Sequence, residues 1–91
     1  MAVYVDDVRI AWKGRHWSHL TADTTEELHA FAAQLGLRRD WFQESSTRPE
    51  AHHYDVTDAK RDEAILMGAI PESWRDGATR RRAAGEQRRS A

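Results

Sequence analysis

The chain has no cysteine. That absence excludes a disulfide framework, a thiolate nucleophile and a zinc–thiolate site, so any metal must be held by histidine and carboxylate side chains. Iron–sulfur chemistry is excluded with it unless another chain supplies the ligands. No apolar run approaches the roughly 20 residues of a membrane span, and no apolar signal segment follows Met1. A soluble cytoplasmic protein with no membrane partner is the expectation. A glycine-rich phosphate loop, a G-x-S-x-G elbow and an H-E-x-x-H helix are missing too.

What is present amounts to one domain. A chain of 91 residues buries only about 60–65% of the surface its unfolded form exposes, so its core must be small. Four tryptophans, Trp12, Trp17, Trp41 and Trp74, are expected to help fill it, each able to bury on the order of 150–250 Å². The net charge of −1 conceals an asymmetry: residues 1–74 carry 8 Lys/Arg against 13 Asp/Glu, whereas residues 75–91 carry six arginines against Asp76 and Glu86. The expected organisation is a globular domain over 1–74 and a flexible, arginine-rich tail over 75–91. Beyond Trp74 no apolar side chain is larger than alanine, so the tail cannot offset the entropy of ordering and is expected to be disordered unless a partner folds it. Phosphate repels the acidic body, which leaves the tail as the only route to nucleic acid.

Val3 and Val5 alternate around Tyr4 and predict a short strand; Val8 and Ile10 change parity, so Asp6-Asp7 marks its end in a break or turn. Gly14 makes W-K-G-R-H a loop. A second strand over 16–23 places Trp17, His19 and Thr21 on one face and Ser18, Leu20 and Ala22 on the other. Thr24-x-x-Glu27 fits a capping box, Leu28, Phe31, Ala32 and Leu35 form one helical stripe, and Gly36 ends it. A short strand at 40–43 and a polar loop follow. H-H-Y-D-V then leads into a second helix, capped by Asp55 or Thr57 and running to about Met67. Pro71 suggests that residues 69–74 form an edge strand, compatible with a monomer or a homodimer. The expected fold is α+β, a small α/β sandwich with a three- to four-stranded sheet packed by two helices.

Three places concentrate chemistry. Asp6 and Asp7 stand at a strand end. His19 sits on a strand face where a polar ring needs a partner. His53 and Asp55, two apart, share a face in extended backbone, with Tyr54 turned into packing and His52 on Tyr54's side as the less needed histidine. If these places meet, Asp6, His19, His53 and Asp55 form a hard oxygen-plus-imidazole set suited to Mn, Zn, Fe or Mg, with His53 and Asp55 the candidates for catalysis. Asp23, His29 and Tyr54 are expected behind them, orienting the ligands. Each also has a plain structural reading: a turn for Asp6-Asp7, a helix cap for Asp23, packing for His29, and a capped loop with surface histidines for His53 and Asp55.

The blocks V-Y-V-D-D, W-S-H-L, the helix containing E-E-L-H-A-F-A, and H-H-Y-D-V-T occur in one order. Together they resemble a small bacterial and bacteriophage family, domain of unknown function 4031, over roughly residues 2–74. Some of its members are joined to HD-type phosphohydrolase domains, so the resemblance implies nucleotide or phosphate chemistry. Its polar signature falls on Asp6, His19, Asp23, His29, His53, Tyr54 and Asp55, which implies one shared site. Asp7 departs from the proline or apolar residue usual there, and the basic tail lies outside the resemblance. The functional expectation is an Asp/His metal- or phosphate-binding domain that hydrolyses a small nucleotide-like or phosphoester substrate. Its alternative is a non-catalytic accessory protein that binds a host protein or nucleic acid.

Overall fold

The computed structural model describes residues 2–90. Its elements in order are β1 (Val3–Val5), β2 (Ile10–Trp12), β3 (Arg15–Ala22), α1 (Thr25–Leu35), β4 (Tyr54–Thr57), α2 (Asp58–Leu66), β5 (Ile70–Pro71) and α3 (Trp74–Ser90). Two 3₁₀ turns, Arg39–Trp41 and Pro49–Ala51, interrupt the long connection between α1 and β4.

β3 organises a five-stranded mixed sheet. β2 pairs antiparallel with its first half, β1 with its second, and β4 along its other edge, with His19 opposite Asp55 and Leu20 opposite Tyr54. β5 adds a short parallel edge to β1. The period of two then sorts the side chains. Val5, Leu20, Tyr54 and Val56 are buried with Leu28, Ala32 and Leu35 of α1 and Ala64 of α2. Thr24 caps α1 by accepting from the Glu27 amide at 3.2 Å, and Thr57 caps α2 through the Lys60 amide at 3.3 Å. Lys60 Nζ donates to the Leu35 carbonyl at 2.7 Å, joining the start of α2 to the end of α1.

The α+β fold matches the sequence expectation, with more elements than foreseen. W-K-G-R-H is not a free loop: Lys13 and Gly14, both with positive φ, turn β2 into β3. Residues 40–43 contain a 3₁₀ turn rather than a strand, and only Gln43 bridges to His53. The tryptophans do not fill the core. Trp12 is 59% exposed, Trp41 49% and Trp74 48%.

The largest correction concerns residues 75–91, expected as a disordered tail. They belong instead, as far as Ser90, to α3, which forms a third layer on the sheet face opposite α1 and α2. Asp7 accepts from the Trp74 amide at 2.8 Å, and Ser73 accepts from the Asp76 amide at 3.0 Å, so the helix start is capped twice. Arg80 lies 3.5 Å from the Tyr4 ring centre, donates to both oxygens of Glu72 and reaches Thr21 Oγ1 at 2.9 Å. Arg88 and Arg48 both pair with Glu50. Gly77 and Gly85 are the buried residues of this helix, and a Cβ on either would stand 2.6 Å from Glu72 Oε2 or 2.5 Å from Glu50 Oε1. Close approach and buried guanidinium stems, not apolar bulk, dock this helix.

Candidate metal centre

The sheet face beneath α3 carries the odd-numbered residues of β3 and their partners. His19 stands opposite Asp55, and His53 lies just before β4, so the i, i+2 pair from one strand meets the histidine of the next. One ligand atom from each of His19, His53 and Asp55 lies within 4.8 Å of the other two. The rings of His19 and His53 meet edge to face at 4.9 Å between centroids.

Each imidazole is held by its Nδ1. His19 Nδ1 is 2.8 Å from Asp6 Oδ2, and His53 Nδ1 is 3.1 Å from the Ala51 carbonyl oxygen. Both partners are acceptors, so Nδ1 carries a proton in each ring; the Nε2 of neutral His19 presents its lone pair, whereas His53 Nε2 faces Asp55 Oδ1 and donates to it when the ring is charged. Asp55 is held likewise: Gln43 Nε2 donates to its Oδ2, leaving Oδ1 3.4 Å from His53 Nε2. This is the support a metal-ligating set requires, with each donor oriented from behind by a hydrogen bond.

Asp6 provides the deepest of these supports. It is 1% exposed and accepts from the His19 amide at 2.9 Å and the Val8 amide at 3.2 Å besides the imidazole. Burial opposes its charge, but the hydrogen bonds from His19 and Val8 and the charge of His19 prevail and hold the carboxyl below the ordinary range. Asp6 thus stands behind His19 and outside the converging trio. Burial also opposes charge on His53, yet its bonds to Asp55 and Ala51 leave it raised above the usual imidazole value. The bond from His53 in turn lowers Asp55, against a burial contribution that raises it.

Arg81 completes the surroundings, and sequence reasoning missed it. With His19, Thr21, Ala51 and His53 it lines a pocket of about 190 Å³. Its Nη1 is buried with no hydrogen-bond partner among the described residues. Burial and the neighbouring Arg80 lower its pKa. A buried guanidinium nitrogen left unpaired is uncommon, and this one lies against the helix, 3.0 Å from where a Cβ on Gly77 would stand. The model for the family described as Protein of unknown function (DUF4031) matches residues 3–84. The chain belongs to that family. No curated protein and no solved structure matches it.

The DUF4031 match runs beyond the expected limit at residue 74 and takes in Arg80 and Arg81 of α3. The remaining candidates of the DUF4031 signature lie elsewhere. Asp23 accepts from the Ala2 amide at 2.9 Å and the Tyr4 hydroxyl at 3.0 Å, tying down the chain start. Tyr54 is buried in the core, its hydroxyl 2.8 Å from His29 Nδ1. His29 also meets Phe42 edge to face at 4.4 Å, and burial lowers its pKa. His52 bridges Thr25 Oγ1 and the Ser45 carbonyl, both at 3.1 Å. His29, Tyr54 and His52, with Phe42, fasten the long loop onto α1. None is among the three converging ligand residues.

Proposed function

We propose that His19, His53 and Asp55 hold one divalent cation and that Arg81 draws the oxygens of a phosphoester to it for hydrolysis. The carrying observation is the convergence of three donors, each already oriented from behind by Asp6, the Ala51 carbonyl or Gln43. Donors at about 2.1 Å from a tetrahedral ion stand roughly 3.4 Å apart, so ligand atoms within 4.8 Å of one another would close by about 1.4 Å at most on loading. Two imidazoles and one carboxylate leave coordination positions for water or substrate, as in hydrolytic metal sites. An ion held by His19, His53 and Asp55 would supply Lewis acidity toward a phosphoryl oxygen and a more acidic water for phosphoester hydrolysis.

Electrostatics favours an anionic ligand. A divalent ion on two neutral histidines and Asp55 carries a local charge of about +1, and Arg81 adds another, with Asp6 the nearest offsetting carboxylate. A phosphate oxygen would pair with the guanidinium of Arg81, which lines the pocket, and relieve that excess. The alternative of an accessory module that grips its partner through the arginine-rich segment has less support. Arg80 and Arg88 are spent on Glu72 and Glu50 of the same chain.

The test uses tag-free protein with Mn²⁺ and p-nitrophenyl phosphate. Metal-dependent release of p-nitrophenol is expected, lost in His53→Ala, with KM raised about tenfold in Arg81→Gln. Phosphate binding that survives EDTA unchanged contradicts the metal, and metal binding without turnover contradicts the hydrolysis.

A further inference from the structure

Three of the four tryptophans lie around one depression. A groove of about 830 Å³ is lined by Trp12 and Trp17 from the β2–β3 hairpin, by Trp41 at the end of the first 3₁₀ turn and Phe42 just after it, and by Gln43 and Asp55. Trp17 is fixed in place: its Nε1 donates to the Trp12 carbonyl at 3.0 Å, and its ring meets that of Trp12 edge to face at 6.1 Å. Such indoles contribute nothing to the core, whereas their flat faces suit a planar ring. Asp55 belongs both to this groove and to the His19–His53 cluster. A ligand reaching past this shared residue from the cluster would therefore meet the aromatic walls.

The polar side chains around the groove are largely occupied. Asp40 takes a two-pronged bond from Arg38, Lys60 bonds the Leu35 carbonyl and Glu63, and the Gln43 amide donates to Asp55. Arg15, on the same rim, makes no side-chain hydrogen bond or ion pair among the described residues and is the one free cation there; the rest of the recognition falls to stacking, which tolerates different bases. The groove is also several times larger than the neighbouring pocket, which is the size for a phosphate rather than a base.

We infer that the groove binds the planar heterocycle of the substrate whose phosphate sits at the His19–His53–Asp55 cluster, so the substrate class is a nucleotide. The inference rests on the phosphoester reading above and extends it from reaction type to ligand. Purine and pyrimidine nucleotides are expected to bind alike, with the larger purine ring tighter.

Calorimetric titrations with Mn²⁺ present test it, using adenosine 5′-monophosphate, ribose 5-phosphate and adenosine. The nucleotide should bind at least about tenfold more tightly than ribose 5-phosphate, the span expected for one stacked base. Trp41→Ala, at a half-exposed position, should erase that advantage while leaving Mn²⁺ and ribose 5-phosphate affinities unchanged. Adenosine should bind His53→Ala as it binds the wild type, since this arm reads the groove without the cluster. Equal affinities for nucleotide and ribose 5-phosphate, or an advantage that survives both Trp41→Ala and Trp12→Ala, overturn the groove. Adenosine binding that depends on Trp41 but gains nothing from a phosphate overturns the cluster reading, and with it the idea of one ligand spanning both.

Discussion

Asp6 shows how much of the site depends on a residue that would touch neither metal nor substrate. Buried and acceptor to two amides and one imidazole, it stabilises the fold through charge-assisted bonds of about 1.5–3 kcal/mol each before non-additivity. Asp6→Ala leaves three donors unpaired and is expected to cost about 3 kcal/mol in urea unfolding. Asp6→Asn keeps the shape, loses the charge, and should lower metal affinity about 10–100-fold while the chain stays folded. Because its folded-state carboxyl titrates below the usual range, its contribution is complete above about pH 4 and is lost as pH falls through the lowered value. His53 has the opposite sign. Its raised imidazole gives the metal-free fold stability below about pH 6.5 that declines as pH rises through the folded-state value. Metal needs the neutral ring, so Mn²⁺ affinity should climb as pH rises through the raised folded-state value and then level off in a titration series. The His53–Asp55 partnership was legible in the sequence because extended backbone repeats every two residues. Arg81 was not, since one arginine among six reads as solvated charge until a helix aims it.

At the scale of elements, α3 departs most from what the sequence suggested. Hydropathy finds no apolar stripe in W-R-D-G-A-T-R-R-R-A-A-G-E-Q-R-R-S, and none is needed. Gly77 and Gly85 admit the carboxylates of Glu72 and Glu50 to the helix surface, and Arg80 and Arg88 clasp them. The Arg88 bond, aided by Arg48, pushes Glu50 down to about 2, so this clasp is fully present above pH about 4.5 and loosens as pH falls toward 2. Glycine in a helix ordinarily costs up to about 1 kcal/mol relative to alanine. Gly85→Ala should nonetheless destabilise the protein, because its methyl displaces Glu50. In a Glu50→Ala background the same substitution should stabilise by up to about 1 kcal/mol. A double-mutant cycle by thermal unfolding checks this, and additive effects would contradict the close approach. α1 and α2, by contrast, were legible from cap and stripe because they bury apolar side chains in the usual way. Their caps at Thr24 and Thr57 fall among the positions the sequence indicated.

The whole molecule is three layers, α1 and α2 on one sheet face and α3 on the other, with the candidate centre between the sheet and the third layer. No described helix is long and apolar enough to cross a membrane. Removing residues 75–91 should therefore do more than trim charge. It uncovers Tyr4, Thr21 and His19, deletes Arg81, and is expected to lower the melting temperature by several degrees and abolish phosphate binding. A truncated chain that melts like the full one would show that α3 is not an integral layer. Histidine, carboxylate and arginine reach the site from the end of β1, from β3, from the loop before β4 and β4 itself, and from α3, a convergence that only the fold can make. The most direct test is a calorimetric titration of tag-free, EDTA-stripped protein with Mn²⁺ or Zn²⁺ alone. One ion should bind per chain, with affinity falling at least about 100-fold in a folded His53→Ala variant. The absence of saturable binding, or binding equal in His53→Ala, would contradict the centre.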